Sequence, residues 1–304
     1  MPEALSALDA RSRAEEARRV ALEALDGGDF RGSLAAYDEA LGAARLTDDP
    51  TFVDWIYSCR AAAAAELGTC DDELVELKRI LLRAQDSQTA FRASYTGSRI
   101  YELRRDYKKA LFYNRIARDH ADRAGDQKLR VAARLQAGNL LTVESRFEEA
   151  AQAYRSSLAD AASDTPPLWQ AIDKDNLGYC LLALERIGEG LALVHEAFET
   201  LESTGAKEFT VHPLMDLCFG YLKCDRYEEA RYFGEAALER VALTNDVTVE
   251  KNLLYLVGEA CHLSGDTEAA QLHFDKLAAY YPEFRNLRAY LDVFDFRNVI
   301  NLRS

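Results

Sequence analysis

Bulky and small positions follow one another along this chain on a long, nearly fixed step. A marker residue, usually aromatic or otherwise bulky, is followed three positions later by a small one. The seven markers are Phe30, Cys70, Tyr107, Phe147, Ile187, Tyr227 and Thr267, separated by 40, 37, 40, 40, 40 and 40 residues. A sustained period of that size is the signature of stacked supersecondary units. Nine residues before each marker stand Ala21, Ala61, Ser98, Gly138, Gly178, Cys218 and Gly258, all small. Three residues after it stand Ser33, Glu73, Ala110, Ala150, Gly190, Ala230 and Ala270, of which only Glu73 is large. Paired small sites predict two helices that cross closely in every unit, because a bulky side chain there would push the backbones apart.

Helix punctuation accounts for the length of the step. Eighteen residues after the first six markers lie Asp48, Gln88, Gly125, Thr165, Gly205 and Asn245, where a helix is expected to stop, and Gly and Asn tolerate a left-handed cap. Helix-starting residues follow at Asp126, Pro166-Pro167 and Asp246. Both helices of a unit are therefore expected to run about 16 to 18 residues, or about 25 Å. After Pro282 the repeat stops. Phe284, Leu287, Tyr290, Leu291 and Phe294 then fall at helical spacing, followed by Phe296, Val299, Ile300 and Leu302. This tail, 284–304, is read as a capping helix folded back on Leu277, or as an exposed element for a partner or a second copy.

The spacing of twelve between small sites, with these flanking residues, resembles the tetratricopeptide repeat family, whose pattern runs W-x2-L-G-x2-Y, A-x3-F, P. The sixth unit supplies Leu217, Cys218, Tyr221, Ala230 and Ala237, and the seventh supplies Val257, Gly258, Ala270, Phe274 and Pro282. The family's tryptophan position holds Ala17, Tyr57, Ser94, Arg134, Lys174, Leu214 and Leu254 instead. The resemblance covers residues 13–283 and implies an all-α solenoid, a right-handed superhelix of about seven hairpins with 40-residue repeats, read as one domain over 1–283.

The family lines its inner groove with first helices, at fixed offsets from the small site. Carried over, this gives Trp55 and Ser58 from the second unit, and Arg92, Tyr95, Arg99 and Glu102 from the third. Asn139 and Thr142 come from the fourth, Asp175 and Tyr179 from the fifth, and His212, Met215 and Phe219 from the sixth. The seventh supplies Asn252, Tyr255, Glu259 and His262. Aromatics, Arg, Met and Asn recur in this set, and such residues are enriched at protein interfaces. The family's carboxylate clamp for chaperone tails is not matched: Leu22 and Ala62 stand where asparagines would, and only Asn139 agrees.

Charge changes the picture in one place. The chain of 304 residues has 51 Asp and Glu against 37 Lys and Arg, a formal net charge of −14, which argues against a nucleic-acid-binding surface. From Lys78 to Arg134, however, 15 basic residues face 6 acidic ones. That block is read as a solvated Arg-rich surface, as a site for an acidic partner held by arginine forks, or as a surface for self-association.

Chemistry is sparse. No phosphate-binding glycine loop, nucleophile elbow or His-Glu-x-x-His occurs. The five histidines lie in different helices or repeats, and the six cysteines are unpaired in spacing and expected to be inert buried thiols. No catalytic residue, metal or cofactor is expected. No signal-peptide pattern or 18-residue apolar run is present, so a cytoplasmic location is expected, and the Ala- and Arg-rich composition suggests a bacterial source. The chain is thus expected to be a non-enzymatic scaffold binding a peptide or protein segment. The alternatives are a peptide- or ligand-responsive bacterial regulator and a structural subunit that associates through its tail.

Overall fold

A computed structural model describes residues 7–68, 70–161, 165–244, 246–281, 287–291, 293–297 and 299–304. These residues form an all-α solenoid of consecutive helical hairpins, with no strand among them. The seven hairpins are α1 (Ala7–Asp26) with α2 (Phe30–Ala44), α3 (Pro50–Glu66) with α4 (Asp71–Arg83), α5 (Ser87–Leu103) with α6 (Tyr107–Ala124), α7 (Gln127–Val143) with α8 (Phe147–Asp160), α9 (Pro167–Ala183) with α10 (Ile187–Thr204), α11 (Val211–Lys223) with α12 (Tyr227–Arg240), and α13 (Val247–Leu263) with α14 (Thr267–Ala278). A short helix, α15 (Leu287–Leu291), follows. The chain groups into two compact units, Met1–Leu140 and Leu141–Ser304, and the division falls inside α7.

The paired small sites sit where the two helices of a hairpin touch. A Cβ added at Gly178 would lie 2.5 Å from Val194 and 3.0 Å from the Gly190 carbonyl, and one added at Gly190 would lie 2.9 Å from the Gly178 carbonyl. In the third hairpin Ser98 donates its hydroxyl to the Ala110 carbonyl at 2.8 Å, so the small site also satisfies its own polar atom. Glu73, the one large residue in the series, turns its carboxylate to Arg60 at 2.9 Å instead of entering the crossing.

The turn inside each hairpin repeats as faithfully as the crossing. Two residues before the marker, the chain takes a left-handed conformation at Gly28, Gly68, Arg105, Ser145, Glu185, Asp225 and Gly265. The next N–H reaches back five residues, as in Asp106 to Tyr101, Arg146 to Leu141, Arg186 to Leu181, Arg226 to Tyr221 and Asp266 to Cys261, all at 2.9 Å. This is the Schellman closure of a helix C-terminus. Four of the seven positions are not glycine, and the left-handed conformation costs a residue with a Cβ about 1 kcal/mol or more.

Helix starts follow the capping rule. Asp49, Asp86, Asp246 and Asp266 accept N–H bonds from the first turns of α3, α5, α13 and α14 at 2.8 to 3.2 Å. Gly125 and Gly205 stop α6 and α10 in the left-handed conformation, as their spacing predicted. Gln88 does not stop a helix: it lies in the first turn of α5, because Asp86 caps that helix and Pro is absent to delay it. Asn245 lies outside the described residues. First helices mostly keep the expected length, whereas second helices range from 12 residues in α14 to 18 in α6 and α10.

In the first unit small residues carry much of the core, with Ala61, Leu77, Ile80 and Ile100 in one cluster and Ala14, Ala40, Ala44 and Ile56 in another. The second unit has a larger continuous core, in which Tyr179, Leu182, Met215, Phe219, Leu254, Leu256 and Phe274 are buried together with Leu302 from the tail. The tail departs from the expected capping helix. Its helix spans five residues beside α13 and α14, and Phe294 lies beyond it. The described residues past Phe294 make turns and irregular backbone: the Val299 and Ile300 N–H groups close a turn on the Phe296 carbonyl, and the main chain of Leu302 bonds to first-helix side chains.

Glycine substitutions test the crossing. At Gly258 a new Cβ would stand 2.3 Å from the Phe274 ring, whereas at Gly42 nothing lies within 4 Å. Gly258→Ala is expected to lower stability by about 1–3 kcal/mol, and Gly42→Ala to raise it by about 0.5–1 kcal/mol; urea denaturation midpoints measure both. A destabilised Gly42→Ala together with an unchanged Gly258→Ala would contradict the close crossing. Arg105→Gly is expected to stabilise by about 1 kcal/mol, since it relieves the left-handed turn, and an unchanged midpoint would count against strain there.

Candidate functional site

The expected lining residues fall into two sets, one on each unit. On the first unit they cluster around α3 and α5. Trp55 packs beside Phe52 at 6.1 Å and carries the Arg18 guanidinium 5.0 Å above its ring. Tyr95 stacks on Phe91 at 5.3 Å. Arg99 forms ion pairs at 3.2 Å with both Glu66 and Glu102, so its charge is already answered within the fold. Arg92, half-buried, leaves its Nε without a partner among the described residues. Asn139 is half-buried in α7, in the first unit, and Ser58 is buried with its hydroxyl bonded to the Asp54 carbonyl at 2.9 Å. Much of the surrounding basic block is paired locally: Arg83 with Asp54 and Glu76, Arg104 with Asp71, and Lys109 with Asp106.

On the second unit the expected residues share one face with something the sequence reading placed elsewhere. The first helices α9, α11 and α13, with the end of α7, hold the described residues 295–297 and 299–304 of the chain itself. Asn252 donates to the Leu302 carbonyl at 2.9 Å, and the Tyr179 hydroxyl accepts the Leu302 N–H at 2.8 Å while donating to Asn301 Oδ1 at 3.0 Å. Lys223 donates to the Arg297 carbonyl at 3.2 Å. Side chains from helices thus read the backbone of an irregular, turn-containing segment at two points, Arg297 and Leu302, and such main-chain bonds fix its register without depending on its sequence.

The segment's side chains add specificity. Asn301 Nδ2 donates to the Thr142 carbonyl at 2.8 Å and to Ser145 Oγ at 2.9 Å, and its Oδ1 also accepts the Arg303 N–H at 2.9 Å. Leu302 enters the apolar core and is 3% exposed. Arg303 lays its guanidinium 4.5 Å above the Tyr179 ring and donates to Asp216 Oδ2 at 2.6 Å, with Asp175 Oδ2 at 3.9 Å. Arg297 donates to the Leu222 carbonyl at 2.9 Å and to Asp225 at 2.8 Å, filling the end of α11 where carbonyls lack helical partners.

The face is rich in buried acids. Asp216 is fully buried, and burial pushes its carboxyl up to about 6 against the pull of Arg303. Burial raises Asp175 as well, helped by the neighbouring Asp216 charge and opposed by Arg303. Asp173, bonded to the Ser157 hydroxyl at 2.7 Å, is lifted to about 6, and Glu259, one turn from Tyr255, to about 7, both by burial. Burial presses His212 down to about 4, and Arg303 adds to that. These carboxyls form no metal-binding cluster among the described residues, and Asp175 and Asp216 share the Arg303 guanidinium. What the arrangement can do is bind a cation on an extended chain.

Of the expected lining, Tyr179 and Asn252 bond the tail directly, Asp175 supplies charge beneath Arg303, and His212, Tyr255 and Glu259 stand in the same helices. His262 and Thr142 occupy the last turns of α13 and α7. Sequence reasoning missed Asp216, Lys223, Asn301 and Arg303. A signal for Asp216 was present: it is the one acid in α11, set among Leu214, Met215, Leu217 and Cys218. A lone carboxylate in an apolar helix needs a partner.

No protein-family model and no curated protein matches this chain. Solved structures match its fold, which is that of tetratricopeptide repeat proteins. One is a Signal Transduction ATPase with Numerous Domains (STAND) protein with a tetratricopeptide repeat sensor from Pyrococcus horikoshii, 17% identical, with a TM-score of 0.69 over 94% of this chain. This chain spans 44% of the length of that protein. Apo RapI is 9% identical with a TM-score of 0.70, covering 92% of this chain and 80% of RapI. NprR in complex with its cognate peptide NprX is 16% identical with a TM-score of 0.66, covering 93% of this chain and 82% of NprR. No described helix is long and apolar enough to cross a membrane.

The buried acids set a pH dependence. Between about pH 4 and 7 the native chain keeps protons on Asp173, Asp216 and Glu259 that the unfolded chain has released, so unfolding becomes easier as pH rises through that window. His212 works in the other direction, removing stability as pH falls from about 6.5 towards 4, but the acids outnumber it. Urea midpoints are expected to be lower at pH 7.5 than at pH 5.5, and Glu259→Gln is expected to flatten that slope by about 1 kcal/mol per pH unit around pH 7. A midpoint that rises from pH 5.5 to 7.5 would contradict the assignment of these acids as buried and protonated.

Proposed function

We propose that this chain is an interaction scaffold that binds an extended peptide or protein segment on the first-helix face of its second unit, and that it performs no chemistry. One observation carries the reading: that face already holds a non-helical stretch of polypeptide, through Asn252, Tyr179 and Lys223 bonds to its main chain and an acidic pocket for its arginine. Such a surface recognises a backbone first and a side chain second, which is how peptide grooves combine affinity with selectivity. The ligand it suits is cationic. An acidic partner would have to use the first unit, at Arg92 and Tyr95, since Arg99 is paired.

A narrower form of the reading is a peptide-responsive regulator. It draws support from the likeness in fold to NprR, which was solved with its cognate peptide NprX. The buried, titratable lining favours it over a purely structural subunit, because a surface that serves only as a joint gains nothing from buried carboxylates that are costly to desolvate.

Affinity capture from native extract tests the scaffold. The baits are the full chain, the full chain with Asn252→Ala and the full chain with Arg92→Glu and Arg99→Glu. A partner retained by the wild type and lost by the Asn252 variant, with at least a tenfold drop in recovery, is the expected result. Loss only in the arginine variant would move the site to the first unit. No partner on any bait, with the chain recovered as a defined oligomer, would overturn the scaffold in favour of a structural subunit.

A further inference from the structure

The segment 295–304 is seated like a ligand, yet it leaves its site incompletely satisfied. Arg303 Nη1, Asp175 Oδ1 and Asp216 Oδ1 are all buried without a hydrogen-bond partner among the described residues. The guanidinium therefore makes one short contact to Asp216 and stands 3.9 Å from Asp175, where a fork could have bound one carboxylate with two parallel bonds. On α11, His212 Nδ1 is also buried without a partner among the described residues, while on α13 the Tyr255 hydroxyl and the Glu259 carboxyl face each other. The face offers more polar atoms than the segment uses. A built-in joint would be expected to use them, since each unpaired buried polar group costs stability.

The composition of the segment points the same way. Val293, Phe294 and Val299 are more than half exposed, whereas Phe296 and Ile300 pack against the second unit's core beside the buried Leu302. Covering the last hairpin falls to α15. What the segment presents inward is a short polar pattern, Asn301 and Arg303 flanking Leu302, matched to a carbonyl-and-hydroxyl pocket, an apolar hole and an acid pair.

We propose that residues 295–304 are an internal stand-in for a ligand, and that the second unit's true partner is an extended peptide whose arginine enters between Asp175 and Asp216 and which must displace this segment to bind. The inference rests on the scaffold reading and adds to it the ligand's chemistry and a built-in competitor. Tethering gives the segment an effective concentration in the millimolar range. A free peptide with the same contacts is weakened by the fraction of molecules in which the segment is seated, about 100-fold for 99% occupancy. A peptide that also satisfies His212 Nδ1, Asp175 Oδ1 and Asp216 Oδ1 gains contacts the segment lacks and can win.

The test uses a fluorescent peptide of the chain's own residues 294–304, titrated by anisotropy into the full chain and into a full-chain variant with Asn301→Ala and Arg303→Ala. The variant is expected to bind it at least about tenfold more tightly than the wild type. Changing the peptide's own arginine at position 303 to alanine, or adding Asp216→Asn to the variant, is expected to abolish the gain. Equal binding to wild type and variant, or no binding to a variant that melts cooperatively, would overturn the proposal. So would a wild-type dimer in which the segment is exchanged between copies.

Should the variant fail to fold, a protease site inserted after the exposed Phe294 gives the same answer, because the wild-type segment can be cut free after folding while α15 stays attached. The labelled peptide is expected to exchange for the cut segment, and its exclusion would overturn the proposal. The outcomes separate from those of the scaffold. A foreign partner that depends on Asn252, in a chain whose cut segment never exchanges, leaves the scaffold standing and removes the competitor; an exchanging segment with no partner in any extract does the reverse.

Discussion

Everything in this fold depends on how closely the two helices of a hairpin can approach. At Gly178 and Gly190 each backbone stands where the other's Cβ would be, and at Gly258 the ring of Phe274 occupies the space a methyl would need. Close packing of that kind gains dispersion and excludes water along the whole crossing, and it tolerates no thickening at the contact point. The Schellman turns at Arg105, Ser145, Glu185 and Asp225 return the chain at a fixed angle so that the small sites meet. The turn is kept even where no glycine is present to relax it. The crossing thus wins over a local backbone cost of about 1 kcal/mol per turn.

Fixing the crossing fixes which side chains the first helices turn outward. In the second unit that face carries Asp175, Tyr179, Asp216 and Asn252 from three successive hairpins. Acids buried at such positions would be neutralised by protonation if nothing answered them, as the raised carboxyls of Asp216 and Glu259 indicate. Arg303 is the answer that the chain supplies to Asp216 and Asp175, and the cation lies over the Tyr179 ring, where the quadrupole adds to the attraction.

The repeat was legible in the sequence because sterics act at a fixed spacing. Gly178, Gly190 and Gly258 could be placed at helix crossings from their positions alone, and the stop at Gly125 and the start at Asp246 follow from backbone chemistry local to those residues. The stop expected at Gln88 failed because Asp86 caps the following helix two residues earlier than the period requires. The face itself was half legible. Tyr179 and Asn252 were found by their offset within the repeat, whereas Asn301 and Arg303 lie outside any repeat and meet their partners across more than 80 residues of sequence. Helical spacing in the tail suggested a cap, but spacing says nothing about competition. Leu302 is buried and Phe294 exposed because Asn252 and Tyr179 claim the backbone at Leu302, which sets the register of everything after Asp295.

A buried carboxylate pair constrains what can lie on top of it. Removing one partner from such a site leaves an uncompensated charge, which costs several kcal/mol unless the group takes up a proton. Asp175 and Asp216 are answered by Arg303 or else by protonation, towards which burial pushes both. In the exchange proposed above, a departing tail would leave these acids to take up protons unless a cation on the incoming chain replaced Arg303.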